Sequence, residues 1–265
     1  MKKIWYKLLA GALVFMSALL FSGCRTQPQA YRTAQNGFFS DGYYLCAYTE
    51  NEGAFSRLRQ AAEEELQTLS ALFDRSNFSS GCRNLCDLCL ASGQKAVELP
   101  AEAMDFLKEC LAWQNATGGA FSLVENGGVW YDTSTSRAML TTPGSILACD
   151  FAAEGYAARE TAALLEKMGC ADYYLRVGRA VACKGAPGGA AGWPDGMGGL
   201  LPREGAAQAV FSRQNEVLYI TLAGSTDALA AAVLAQGCCA LPQDFAQTMA
   251  QSFSASLTRA PSPAR

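Results

Sequence analysis

The sequence predicts an α+β domain, with mixed or antiparallel sheets flanked by helices in a single compact body behind an N-terminal export signal. Three observations carry this. Segments with apolar residues at helical spacing alternate irregularly with short strands, unlike the regular strand–helix order of a doubly wound parallel sheet. The strands are bounded by glycine-bearing, hairpin-like turns. Half of the 265 residues are hydrophobic, enough to close one substantial core.

The chain opens with "MKKIWYKLLAGALVFMSALLFSGC", in which Lys2, Lys3 and Lys7 precede an apolar run from Leu8 to Phe21 and then Ser22, Gly23 and Cys24. A basic region, an apolar stretch shorter than a membrane span and small residues before a break make an export signal. With Cys directly after Ser-Gly, residues 1–23 resemble a bacterial lipoprotein signal, and Cys24 becomes the lipidation site and first mature residue. Plain secretion or an uncleaved anchor are the alternatives, and both also export the chain. The expected location is therefore the extracytoplasmic face of a membrane. Residues 24–37 are polar, with Pro28 and Gly37, and read as a lipid-anchored tether. Residues 38–257 form the body and 258–265 a disordered tail.

Within the body, "DGYYLCAYT" from Asp41 reads as a strand. Phe55, Leu58, Ala62, Leu66, Leu69 and Leu72 then recur at helical spacing, predicting an amphipathic helix over 54–73. A second helix starts after Pro100, with acidic residues in its first turn, and ends at Thr117-Gly118-Gly119. A third runs from Phe151 to Met168 and stops at Gly169. Asp172 to Lys184 predicts one or two strands bent at Gly178. "EVLYITLA" from Glu216 is a strand, and Ser225 or Thr226 is positioned to cap the helix "DALAAAVLAQG". The stretch from Gly185 to Gly199 lacks the phosphate-loop pattern and reads as a turn or hairpin connection.

Composition removes several function classes. A net charge of -3 with 17% charged residues offers no basic face for nucleic acid. The sequence contains no histidine, which excludes a Ser-His-Asp triad, a Cys-His dyad and a His-bearing zinc site. A general base must then be a carboxylate, Lys, Tyr or Cys. Cys82, Cys86 and Cys89 have a C-x3-C-x2-C spacing used for iron–sulfur clusters, but an exported chain favours buried thiols or a disulfide there. Trp113, Trp130 and Trp193 are able to stack on a flavin ring or to serve as core.

The order of segments after residue 38 resembles the ApbE family of FAD:protein FMN transferases. The resemblance rests on "LFDRSNFSSG", "VELPAEAMDFLKECLAWQNATGGAFSL", "ILACDFAAEGYAARETAALLEKMGCADYYLRVGRAV" and "STDALAAAVLAQG". It implies an ApbE-like fold, often on an exported lipoprotein. It also implies magnesium-dependent transfer of FMN from FAD to a threonine of an acceptor protein. The family's T-x-G-A-F element is present as Thr117, Gly119, Ala120 and Phe121. Its D-x-G-x-x-A-K-G-Y motif runs from Ala148 to Tyr156, keeping Ala153, Gly155 and Tyr156 and placing Glu154 at the lysine.

The glycine pair of N-x-G-G-D becomes Gly178 and Arg179, Gly42 stands for the threonine of an early motif, and a His-containing segment has no counterpart. The terminal motif keeps Thr226, Asp227, Ala228 and Ala230 but has Ala231 for its second threonine. By resemblance, Thr117, Gly119, Glu154, Gly155, Tyr156 and Gly178 are the FAD-binding positions, and Asp227 is the magnesium ligand. Exchanging Lys for Glu154 shifts the charge beside a pyrophosphate by two units, which opposes binding by several kcal/mol in a shielded site. Asp150 and Glu154, one turn apart, form either a carboxylate pair or an acidic helix face. Three readings stay open: an active transferase with an unusual site, a pseudoenzyme, or an unrelated exported domain. The pseudoenzyme would be a flavin- or partner-binding lipoprotein that assists an extracytoplasmic redox complex. A flavin acceptor or membrane redox protein is the expected partner.

Overall fold

The computed structural model describes residues 27–213 and 216–261. The export signal and Cys24 lie outside the described residues. Seven strands form the principal sheet: β1 (Gln29–Gln35), β2 (Tyr43–Thr49), β6 (Tyr173–Val177), β7 (Ala180–Lys184), β10 (Ala206–Arg213), β11 (Glu216–Ala223) and β12 (Ala255–Pro261). They are paired in that spatial order, each antiparallel to its neighbour. A three-stranded sheet joins β3 (Val97–Glu98), β5 (Arg137–Leu140) and β4 (Val129–Asp132). A hairpin of β8 (Gly192–Pro194) and β9 (Leu200–Pro202) forms the connection expected between Gly185 and Gly199. The architecture is α+β and antiparallel, as predicted.

Strand alternation explains how both faces of the principal sheet are covered. Tyr43, Leu45 and Ala47 of β2, Tyr173 and Leu175 of β6 and Ala180 and Ala182 of β7 point into the main core. The intervening Cys46, Val181 and Cys183 point the other way, into a smaller cluster with Trp193 and Leu201 of the β8–β9 hairpin. Trp193 donates its indole N–H to the Lys184 carbonyl at 2.9 Å and packs on Tyr48 and Tyr174, so it is a structural residue.

Helices cover the main-core face. Helix α1 (Glu52–Phe73) is capped by Asn51, whose side chain accepts from the Ala54 N–H at 2.9 Å, and it buries the whole apolar stripe read from the sequence. Helix α3 (Ala101–Ala116) and helix α4 (Asp150–Lys167) match expectation within a residue or two. Helix α5 (Ala228–Ala240) is apolar around most of its circumference because it lies between the sheet, α4 and α6 (Gln243–Ser252). Phe73, Phe106 and Tyr156 join α1, α3 and α4 through ring contacts of 4.5–5.4 Å. Among the described residues no helix is long and apolar enough to cross a membrane.

Four local differences have physical causes. Residues 29–35, expected as tether, are strand β1, paired with β2 along its length and seated by Tyr31 stacked on Phe55 at 5.6 Å. Residues 258–261, expected as tail, belong to β12, which covers the free edge of β11. The cap of α5 is Asp227, whose carboxylate accepts from the Ala230 N–H at 3.1 Å, while Ser225 accepts from the Asp227 N–H. The cysteine run contains a short helix α2 (Leu85–Leu90), started by a capping box between Asn84 and Asp87.

Candidate functional site

A cavity of about 720 Å³ lies where three elements end together. The loop after β1 contributes Gly37, Phe39, Ser40 and Asp41, the last turns of α1 contribute Gln67, Ser70 and Asp74, and the first turns of α4 contribute Asp150 and Glu154. Arg179, in the two-residue turn between β6 and β7, closes the inner side. The loop is tightly folded. Phe39 holds φ 51, a left-handed conformation uncommon for a residue with a side chain. Gly42 has φ 68, and a Cβ there meets the Asn36 Cα at 2.9 Å, so threonine does not fit at this position.

Glu154 is the hub of the cavity wall. It is 1% exposed and accepts from the Ser40 hydroxyl at 2.5 Å, the Arg179 backbone N–H at 3.0 Å and the Arg179 guanidinium at 3.0 and 3.3 Å. The guanidinium also lies over the Phe151 ring, 4.5 Å from its centroid, and 5.9 Å from that of Phe211. Gly178 has φ 54, and any Cβ there would meet a Glu154 oxygen at 2.7 Å. The two departures from the resembled motifs, Glu154 for lysine and Arg179 for glycine, are therefore one structural event. Arg179 offsets one of the two charge units by which Glu154 departs from lysine. Asp150 and Glu154 do not act as a coupled acid pair, since Asp150 pairs instead with Arg75 at 2.7 Å.

The remaining positions named from the sequence fall elsewhere. Gly155 lies at the crossing of α4 and α5, where a Cβ would meet the Ala228 carbonyl oxygen at 2.5 Å and the Ala232 Cβ at 2.7 Å. Tyr156 is in the aromatic core, under the Arg159 guanidinium at 4.8 Å, and burial followed by Glu160 and Glu109 pushes its phenol up to about 12. Thr117 ends α3, donating to the Trp113 carbonyl at 2.8 Å and accepting from the Phe121 N–H, and Gly119 has φ 83 in the same turn. Of the six flavin positions and the metal position, Glu154 alone lines the cavity; Gly178 packs against its carboxylate, and Thr117, Gly119, Gly155, Tyr156 and Asp227 lie elsewhere. Trp113 packs on Phe253 and Trp130 is exposed on β4.

Asp227 sits in a network centred on Arg159. That guanidinium bonds Glu109 at 2.6 and 3.1 Å and Glu160 at 2.9 Å, and it lies 3.7 Å from the Asp227 carboxylate. The same Asp227 oxygen caps α5. Magnesium prefers near-octahedral oxygen coordination at short range. Ala231 brings no oxygen, and a fixed cation already faces the one carboxylate, so the donor set does not fit the metal. Among the described residues no group of three or more Cys, Asp or Glu side chains is gathered for a metal ion. An FAD pyrophosphate fares no better in the cavity. Its lining holds Asp41, Asp74, Asp150 and Glu154, and Arg179, the one cation that lines it among the described residues, is engaged by Glu154.

The cysteine run supports the cavity rim. Cys86 is buried, Cys89 half-buried and Cys82 exposed, all as free thiols. Asn84, fully buried, donates to the Ala71 and Asn77 carbonyls at 3.0 and 2.7 Å and so ties the run to the end of α1.

No family model matches the sequence, and no curated protein is significantly similar to it. Solved structures do match. The apo form of Pseudomonas stutzeri flavinyl transferase ApbE superposes with a TM-score of 0.71 at 11% identity, covering 89% of this chain and 96% of that one. A histidine-to-glycine mutant of Vibrio cholerae flavin transferase ApbE gives 0.66 at 11% identity, covering 89% and 98%. The ApbE protein of Thermotoga maritima gives 0.65 at 15% identity, covering 89% and 97%. The chain has the ApbE fold over nearly all of its described length.

Proposed function

We propose, with the ApbE fold as premise, that this protein is an exported lipoprotein, anchored through Cys24, that does not transfer FMN. It serves as a partner-binding component of an extracytoplasmic redox assembly. One observation carries the reading. The two charged positions that the resemblance assigns to ligands, Glu154 and Asp227, are both committed to internal ion pairs, with Arg179 and Arg159. Phosphoryl-group transfer depends on unengaged positive charge around the phosphates and on a bridging metal. This donor set supplies neither, because the cations at both positions already face carboxylates.

The test is incubation of the mature protein with FAD, magnesium and an acceptor domain carrying a target threonine. No covalent flavin on the acceptor and no quenching of FAD fluorescence are expected. Covalent, fluorescent acceptor overturns the reading in favour of a working transferase. Cross-linking in native membranes is expected to recover a neighbouring membrane redox protein.

A further inference from the structure

The chain between the anchor and the folded body is short, and the fold has two well-separated ends. Gln27 is the third residue after Cys24, so the anchor lies within about 11 Å of the body at full extension. Pro28 lines a groove with Glu50 after β2, Ala54 and Arg57 at the start of α1 and Met168 and Gly169 after α4. The cavity uses the opposite ends of the same elements: Gly37 and Phe39 beyond β1, Ser70 and Asp74 late in α1, Asp150 and Glu154 early in α4. From Gln29 to Gln35, β1 advances about 20 Å. From Glu154 to Met168, α4 rises about 21 Å, and α1 rises about 24 Å from Ala54 to Ser70. Three independent elements therefore set the cavity at least about 20 Å beyond the groove.

We propose that the groove end of the body rests on the phospholipid surface, while the cavity opens on the far side toward the aqueous compartment. This rests on the lipidation of Cys24 in the proposed function. A partner reaching the cavity must be soluble, or must present a domain standing clear of the bilayer by about the height of the body. The occupant of the groove end is the bilayer because the anchor allows that end no other neighbour at such short range. Charge does not hold it there: the exposed Glu50 and Glu52 are offset by Arg57 and Lys167, and the groove adds the half-buried Asp172, so this end carries no excess of cations. The seating is set by the lipid and does not depend on salt.

The experiment uses the full-length lipidated protein in phosphatidylcholine–phosphatidylglycerol vesicles that carry a headgroup-attached quencher. A fluorescent amino acid is introduced at Met168 or at Asn36, exposed positions at the two ends. Quenching several-fold stronger at 168 than at 36, unchanged between low and high salt, is expected. Equal quenching, or the reverse order, overturns the orientation. Mass spectrometry of the N-terminal peptide separates the two ideas: an unlipidated Cys24 overturns the anchoring as well, whereas a lipidated Cys24 with reversed quenching overturns the orientation alone. Hydrogen exchange of the unsubstituted protein supplies a label-free check, with vesicle-dependent protection expected at Glu50–Glu52 and Lys167–Cys170 and none at Asn36–Asp41.

Discussion

Replacing Glu154 by alanine strands the Arg179 guanidinium and the Arg179 backbone N–H, and it deprives the Ser40 hydroxyl of its acceptor. Breaking a buried pair from one side costs about 3–5 kcal/mol, and the one-third exposure of Arg179 moves the expectation to the lower end, about 3 kcal/mol. For a domain of this size that lowers Tm by about 6–12 °C. Arg179→Ala leaves a carboxylate buried beside only two donors and is expected to cost a similar amount. The double alanine variant removes both charges, so its loss is expected to fall short of the sum by about 2 kcal/mol. Glu154→Lys alone sets two cations together and is expected to be the worst of the series. Glu154→Lys combined with Arg179→Gly relieves that repulsion and recovers stability. Urea unfolding of the five variants measures the cycle. Additive single losses, or a Glu154→Lys variant no better with Arg179→Gly than without, refute the claim that these two residues form one unit.

Further outcomes follow from other sites. Gly155→Ala inserts a methyl between α4 and α5 and is expected to destabilise by about 1–3 kcal/mol by thermal unfolding, with cavity-lining residues unchanged in sequence. At Asp74, burial acts to raise the carboxyl, but the Asn77 side chain and the Ser76 and Asn77 N–H groups outweigh it and hold the carboxyl below its usual 3.8. Its contribution is therefore present above that value and lost as pH falls through the lower folded one, so Asp74→Asn is expected to flatten the acid limb of a stability–pH curve below about pH 4. Burial pushes the Cys170 thiol up to about 11 and Cys183 up to about 12. Mild alkylation near neutral pH, followed by peptide mass mapping, is expected to modify exposed Cys82 first and these two only after unfolding.

Periodicity made α1 legible because it buries one apolar stripe that the spacing displays directly, while α3 and α4 were legible from Pro100 at the start of one and Gly169 at the end of the other. The β6–β7 hairpin was legible through Gly178, whose backbone demands glycine. Strand β1 was not, since "QAYRTAQ" is a mostly exposed edge strand whose only apolar anchor is Tyr31. Helix α2 spans only Leu85–Leu90, too short for an apolar period to show, and its one sequence signal is the capping box of Asn84 and Asp87. The pairing of Glu154 with Arg179 spans 25 residues and depends on a hairpin returning its turn to the start of α4. Sequence spacing carries no trace of such a contact. Arg159 was not legible for the same reason, because its partners come from α3, from its own helix α4 and from the cap of α5.

Strand β1 carries a mechanical consequence. It is an edge strand of the principal sheet, which peels readily when pulled sideways, and it is the first strand of the described residues. Its axis runs from the groove end toward the cavity end, so tension on Gln27 drags β1 lengthwise across β2. All the paired positions from Gln29 opposite Thr49 to Gln35 opposite Tyr43 then resist together, with the Tyr31 ring wedged against Phe55 as a brake. A pull on Gln27 along the strand meets the ladder in shear, where it is strong, rather than opening it pair by pair.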